Sequence, residues 1–184
     1  VISEPAKQIL LEVARQSIQY GLQHARPLPV EPGDYPEELQ TQGASFVTLS
    51  LDQQLRGCIG SLEARRPLVV DVADNAFAAA FRDPRFPPLS EAEFPDLDYH
   101  ISILNPPEPM QFSNEADLLA QIRPGVDGLV LEDRGHRGTF LPSVWESLPQ
   151  PGEFLRHLKR KAGLPLDYWS DTLKVSRYTV EDVE

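Results

Sequence analysis

From Leu68 to Phe81 the apolar side chains recur without a gap: Leu68, Val69, Val72, Ala73, Ala76, Phe77, Ala80 and Phe81. Spacings of one, four and five residues put all of them on one broad stripe of a helix, and a stripe that wide belongs in a core. Pro67 opens this helix, where a missing N–H does no harm. Asp83-Pro84-Arg85-Phe86-Pro87-Pro88 stops it and makes a stiff corner, because proline removes donors and biases the residue before it away from helix. Asp71, Asp74 and Asn75 lie off the stripe.

The flanking sequence says what the helix packs against. Ala44–Leu51 alternates as a strand, Asp52-Gln53-Gln54 is a short polar turn, and Leu55–Leu62 reads as the returning strand of a hairpin. Before the hairpin, Ser3 is a candidate cap for a helix running to about His24, with Ala6, Ile9, Leu10, Val13, Ser17 and Tyr20 at helical spacing. Residues 26–36 carry four prolines and a glycine and read as an extended connector. Ser90 and Glu93 have capping-box spacing, and Leu97–Leu104 alternates as a strand ended by Asn105-Pro106-Pro107. Ser113 is a candidate cap for a helix over Glu115–Ile122. A second hairpin is expected over Gly128–Glu132 and Arg137–Leu141 with Gly135 in its tip, then a short helix from Ser143. A longer helix through Phe154, Leu155, Leu158 and Ala162 is closed by Gly163, and Thr172–Val180 is the last strand.

Hairpins mixed with helices indicate α+β rather than a doubly wound sheet. A hairpin followed by helix and strand occurs twice, which fits a structural duplication. At 184 residues the chain is one domain or two small lobes. Residues 26–36 and 106–112 read as the lobe borders.

The formal net charge is −11, which argues against general affinity for nucleic acid or an anionic membrane. No apolar run approaches the roughly 20 residues that span a bilayer, and the first residues lack the basic-then-apolar pattern of a signal peptide. One cysteine excludes an internal disulfide framework, and His24, His100, His136 and His157 form no zinc-spaced pair, so no cofactor or metal is expected. A lone thiol suits a cytoplasmic location.

Leu55-Arg56-Gly57-Cys58-Ile59-Gly60 holds that cysteine. On a regular strand Arg56 and Cys58 share a face, and a guanidinium beside a thiol favours the thiolate. Gly57 and Gly60 would let a ligand or another backbone approach closely. Against this, cysteine is more often a small buried hydrophobe than a nucleophile. A Cys–His pair would need His100 or His136 brought near in space. Arg56, Arg65 and Arg66 surround the start of the Pro67 helix, Arg82 and Arg85 its end, and Arg134 and Arg137 the second hairpin tip. They are either a local anion site or solvated, paired surface charges. His136 and Thr139 are placed to face a ligand near that tip. No GxSxG, P-loop, GxGxxG or HExxH occurs, and the GxxG spacing of Gly57–Gly60 is too common to indicate RNA binding in so acidic a chain.

These motifs resemble the AMMECR family. Leu55-Arg56-Gly57-Cys58-Ile59-Gly60 is similar to its signature. The similarity continues through Pro67-Leu68, Asp71-Val72, Asn75-Ala76, Asp83-Pro84-Arg85-Phe86, Thr139-Phe140-Leu141-Pro142 and Lys161-Ala162-Gly163-Leu164-Pro165 to Trp169. Ser61 stands where the family commonly has Thr, and His136 falls in a variable segment. The resemblance covers essentially the whole chain, 1–184 as a single AMMECR-type domain. It implies two β-rich, helix-covered halves forming a barrel-like mixed sheet with an inter-lobe cleft near Arg56–Gly60. Gly57, Gly60, Ser61, Asn75, Arg85, Arg137 and Thr139 are the candidate cleft or ligand-binding residues, with Cys58 and Arg56 as the candidate catalytic pair. For a prokaryotic member the resemblance also implies association with a Memo-like protein and a radical-SAM protein, the AmmeMemoRadiSam system. It supplies no reaction. Three functions compete: a partner or substrate-positioning module, a thiol enzyme using Cys58, and a sensor of small anions.

Overall fold

The structure is a computed structural model describing residues 1–184. The fold is α+β and divides into two compact units, Val1–Leu104 with Glu181–Glu184, and Asn105–Val180.

The first unit is built on a five-stranded sheet. Helix α1 (Glu4–His24) is capped by Ser3, whose hydroxyl accepts the Ala6 N–H. A single helical turn α2 (Glu37–Gln40) leads into β1 (Gln42–Leu51) and β2 (Gln54–Gly60). A two-residue strand β3 (Arg66–Pro67) pairs with the start of β1, α3 (Leu68–Phe81) follows, and β4 (Asp98–Leu104) returns beside β1. The order is β2-β1-β4-β9, where β9 is Val180–Val183. On β1, Ser45, Val47 and Leu49 are buried and face α3, with Val47 opposite both Ile59 and Ile101. Val69, Val72, Ala73, Ala76 and Ala80 from α3 and Leu10, Val13, Ala14 and Ile18 from α1 complete one apolar core. Each fully buried branched side chain there contributes about 1.5–3 kcal/mol.

The connector 26–36 lies inside this unit rather than at its border. It is tied back to α1 and α3 through buried Ser17, whose hydroxyl donates to Ala73 O at 2.6 Å and accepts from Leu28 N at 3.1 Å. The two units divide between Leu104 and Asn105, beside the stretch 106–112, and again between Val180 and Glu181.

The second unit has a four-stranded sheet ordered β5-β8-β6-β7, made of β5 (Glu108–Pro109), β6 (Gly128–Asp133), β7 (His136–Phe140) and β8 (Lys174–Tyr178). Helices α4 (Glu115–Gln121) and α5 (Pro151–Lys161) contribute to its core, with Leu129, Leu131, Trp145, Phe154, Leu155 and Leu158. Trp145 stacks on Phe154 with ring centroids 3.8 Å apart, and its indole N–H donates to Asp127 O. The cap of α4 is Asn114, not Ser113: Asn114 accepts the Asp117 N–H, while Ser113 donates to the Asp117 carboxylate. Gly163, in the left-handed region at φ 88°, closes α5.

Two expectations are corrected. The strands form two separate antiparallel sheets and do not close into a barrel. The last strand is two strands: β8 belongs to the second sheet, and the chain then returns as β9 to the first. The paired strands differ in number and order between the sheets, and no duplication is established. No helix is long and apolar enough to cross a membrane.

Candidate functional site

The Leu55–Gly60 signature forms the edge strand β2, and its register is broken. Leu49 faces Gly57 and Ser50 faces Leu55, so Arg56 is the extra residue of a β-bulge. A bulge leaves one residue unpaired and re-aims its side chain. The alternation that would set Arg56 beside Cys58 is therefore interrupted. Buried Arg56 instead donates through Nε to Glu93 Oε2 at 2.7 Å and through Nη2 to Pro87 O at 2.8 Å. Its Nη1 is buried without a hydrogen-bond partner. Glu93 is held down to about 2, chiefly by the Arg56 hydrogen bonds.

The two glycines serve packing. A Cβ on Gly57 would lie 2.0 Å from the carbonyl oxygen of Ala79, so the side-chain-free position lets α3 lie directly on β2. A Cβ on Gly60 would lie 2.2 Å from the Phe46 ring, which covers that glycine across the strand pair. At Gly57 the close approach is that of another backbone, and at Gly60 that of a ring.

Cys58 is half-buried, opposite Thr48, whose hydroxyl donates to its Sγ at 3.3 Å. Its backbone N–H points off the sheet edge to Asp83 Oδ2 at 3.0 Å. Asp83, itself buried, also receives both Nε and Nη2 of Arg85, at 3.0 and 2.7 Å. Those arginine bonds, more than the Cys58 and Arg85 backbone donors, hold the Asp83 carboxyl far below the usual range. The Arg85 guanidinium is correspondingly raised, first by Asp83 and in smaller part by the charge of Cys58. Arg85 and the Cys58 backbone N–H thus share the Asp83 carboxylate. Phe86 lies between the two arginines, 5.7 Å from Arg56 and 5.5 Å from Arg85. Residues 83–93 in this way seal the open edge of β2, which would otherwise invite another strand.

His100 is not paired with the thiol. Cys58 and His100 both flank Thr48, with β1 between them, so their backbones stand roughly 10 Å apart at two strand spacings. The His100 ring meets Asp182 Oδ1 and Glu184 Oε1, each at 3.0 Å.

Asn75, Ser61 and Arg66 belong to one internal network centred on Asp71, which is 1% exposed. Its carboxylate accepts from Ser45 N and Oγ at 2.8 and 2.7 Å, Ser61 Oγ at 2.8 Å, Arg66 Nε at 2.8 Å and Asn75 Nδ2 at 3.0 Å. Arg66 also pairs with Asp74, and Arg65 with Glu63. Burial is the largest influence on Asp74 and raises it. The arginines expected to hold an anion at this helix start already face carboxylates.

Arg137 and Thr139 are in the second unit. Thr139 is buried, donating to Leu129 O at 2.8 Å and lying 2.8 Å from the Tyr178 hydroxyl, so it braces the sheet. Arg137 is exposed on β7, with Nε 3.9 Å from Glu132. No group of three or more His, Cys, Asp or Glu side chains is arranged to hold a metal ion.

Sequence reasoning did not give Asp83, Glu93 or Thr48 a role. Asp83 and Glu93 were recognisable only as a helix stop and a capping-box acid. Ser90 N does donate to Glu93, but Arg56 is the partner that fixes that carboxylate.

Comparison with known proteins gives the same assignment as the motifs. The AMMECR1 family profile matches residues 11–183, and the chain belongs to that family. A protein of Methanothermobacter thermautotrophicus is 38% identical over 175 residues, covering 92% of this chain and 88% of that one. A protein of Thermotoga maritima is 41% identical over 156 residues, covering 83% and 84%. The crystal structure of an uncharacterised protein from Pyrococcus horikoshii superposes with a TM-score of 0.91 at 34% identity, over 98% of this chain and 92% of that one.

Proposed function

We propose that this chain is a partner-binding, substrate-positioning component working with a Memo-like protein and a radical-SAM protein. One observation carries this reading: the charged and polar groups of the signature are engaged inside the fold. Arg56 is held by Glu93 and Pro87, Asp71 gathers the helix start, and Asp83 binds Arg85 and the Cys58 N–H. Such a signature specifies a rigid platform rather than a reaction centre. Co-expression of the tagged full chain with the Memo-like and radical-SAM proteins of the same genome tests it. Retention of at least one, by affinity capture or crosslinking, supports the reading. Retention of neither overturns it.

A second reading, a thiol enzyme, is favoured by the Asp83 carboxylate, which joins the Arg85 guanidinium to the Cys58 backbone N–H. Its test is the alkylation rate of Cys58 in the folded protein as a function of pH. A midpoint well below the ordinary value of about 8.5, moving upward in Arg85→Ala, supports it. Reaction only on unfolding removes it.

A further inference from the structure

The first unit has 8 basic side chains, and six of them face carboxylates: Lys7, Arg15, Arg56, Arg65, Arg66 and Arg85. The other two, Arg26 and Arg82, stand at one end of the unit. Helices α1 and α3 run in the same direction. Ser17 Oγ donates to Ala73 O, and Gly21, one turn further, lies against the Phe77 and Phe81 rings. The C-terminal ends of the two helices therefore meet, with His24 and Arg26 at the end of α1 and Arg82 capping α3.

Both arginines rest on aromatic rings. Arg82 lies over Phe77, 5.0 Å from the ring centroid. Arg26 lies 5.8 Å over Tyr20 and donates from Nη2 to its hydroxyl at 3.0 Å, while the His24 ring packs on Tyr20 with centroids 4.2 Å apart. Arg26, Arg82 and His24 are exposed. Stacking fixes the guanidinium planes, and the single bond to Tyr20 leaves most of their donors open. The opposing charges do not cancel them. Each helix end amounts to about half a negative charge, less than the whole charge that each arginine brings. The carboxylate that Arg82 influences is Asp74, and Arg66 already pairs with it. This end is thus basic, on a unit with 18 acidic residues.

We propose that the joined C-terminal ends of α1 and α3 dock an acidic segment of a protein partner. Arginine and tyrosine are the side chains that most often carry the binding energy of protein interfaces. Guanidinium forks match carboxylates, and planes already fixed by stacking reduce the entropy lost on binding. An open surface with two separated arginines suits a segment bearing several carboxylates. The carboxylate excess on the rest of the unit repels the same segment, which sets where and in which orientation it sits. The proposal rests on the reading that this chain binds a protein, not on which protein it binds.

Fluorescence anisotropy of labelled octaglutamate titrated with the full chain tests it, with octalysine and inorganic pyrophosphate for comparison. Octaglutamate should bind, more weakly as salt is raised, and Arg26→Gln and Arg82→Gln should each weaken it about tenfold. Arg26→Lys and Arg82→Lys keep the charge at the helix ends and lose the fork, so they should fold as the wild type and weaken binding less. Arg65→Gln, at an exposed arginine paired with Glu63, should leave binding unchanged. No binding of octaglutamate at millimolar concentration, affinities indifferent to Arg26→Gln and Arg82→Gln, or displacement by pyrophosphate at equal concentration would overturn the proposal. Capture of a Memo-like or radical-SAM protein equally by the wild type and by Arg26→Gln/Arg82→Gln would overturn it too, and would leave the partner reading standing. Capture of neither, with arginine-dependent octaglutamate binding intact, would overturn only the choice of those two partners and support the surface.

Discussion

The most deeply buried aspartate of each unit, Asp71 at 1% and Asp127 at 0% exposure, is held in a different way. Asp71 collects donors from four residues on separate segments: Ser45 on β1, Ser61 after β2, Arg66 on β3 and Asn75 on α3. Asp127, fully buried in the second unit, is bound chiefly by one neighbour, Arg123, through its backbone N–H and both Nε and Nη2. The first unit thus uses a buried charge to join elements distant in sequence, and the second uses one to fix a local turn. The charge balance differs as well. The first unit has 18 acidic against 8 basic residues and the second 10 against 9. The acidity of the chain therefore belongs almost wholly to the unit that carries the signature.

Removing the two carboxylates should separate these roles most widely. Asp71→Ala strands the buried Ser45 N–H and takes a carboxylate partner from Ser45 Oγ, Ser61 Oγ and Arg66, while Asn75 Nδ2 keeps Ser45 O and Ser61 Oγ. Unfolding in urea should show a loss of about 3–5 kcal/mol. Asp127→Ala should cost less, about 1.5–3 kcal/mol, because the half-exposed Arg123 side chain can be resolvated. Equal losses, or a loss below about 1 kcal/mol for Asp71→Ala, would break the distinction.

Glycines make the next comparison. A methyl on Gly57 meets the Ala79 carbonyl at 2.0 Å, whereas one on Gly138 meets Ala162 backbone and side-chain atoms at 2.9–3.0 Å. Gly57→Ala must push α3 off β2 and should cost about 3 kcal/mol, the upper end for overpacking, against about 1 kcal/mol for Gly138→Ala. A nearly neutral Gly57→Ala would mean that α3 is not seated as closely as described.

The residues that made this architecture legible in the sequence are those with strong local periodicity. The α3 stripe, both hairpins with a polar turn over Asp52-Gln53-Gln54 and Gly135 in the second tip, and the family motifs could all be read directly. What could not be read depends on tertiary partners. The bulge at Arg56 exists because β1 slips past β2 by one residue, and nothing in Leu55–Gly60 alone signals that slip. β9 is four residues long and takes its place from pairing with β4, not from its own pattern. At the candidate site, Cys58, Arg56, Asn75 and Arg85 were recognisable as notable residues, but not their partners. Asp83 and Glu93 come from the segment after α3, and only the folded chain brings them to β2.

Acid tests whether that segment clasps β2. Glu93 has its pKa lowered from an ordinary 4.5 to about 2 by Arg56, and Asp83 is lowered by Arg85. A carboxylate depressed in the folded state contributes stability that is complete above its unfolded pKa and lost as pH falls through the folded one. Stability should therefore fall from about pH 5 toward pH 2. The difference between pH 7 and pH 3 should shrink in Glu93→Gln and shrink further in Glu93→Gln/Asp83→Asn. An unchanged pH slope in both variants would mean that the clasp contributes nothing measurable.

The smallest effect concerns the two hairpin tips, which share a geometry and differ in chemistry. Asp52 and Gln53 sit at φ 49° and 63°, Arg134 and Gly135 at 48° and 85°. Aspartate tolerates the first position of such a turn, because its short side chain can bond locally, whereas arginine has no such relief. Arg134→Gly should accordingly stabilise the protein by about 0.5–1 kcal/mol, and Asp52→Gly should change it by less. A thermal melt of the two variants reads the difference directly. If Arg134→Gly lowers the melting temperature instead, the guanidinium already stabilises the free protein more than the turn strains it.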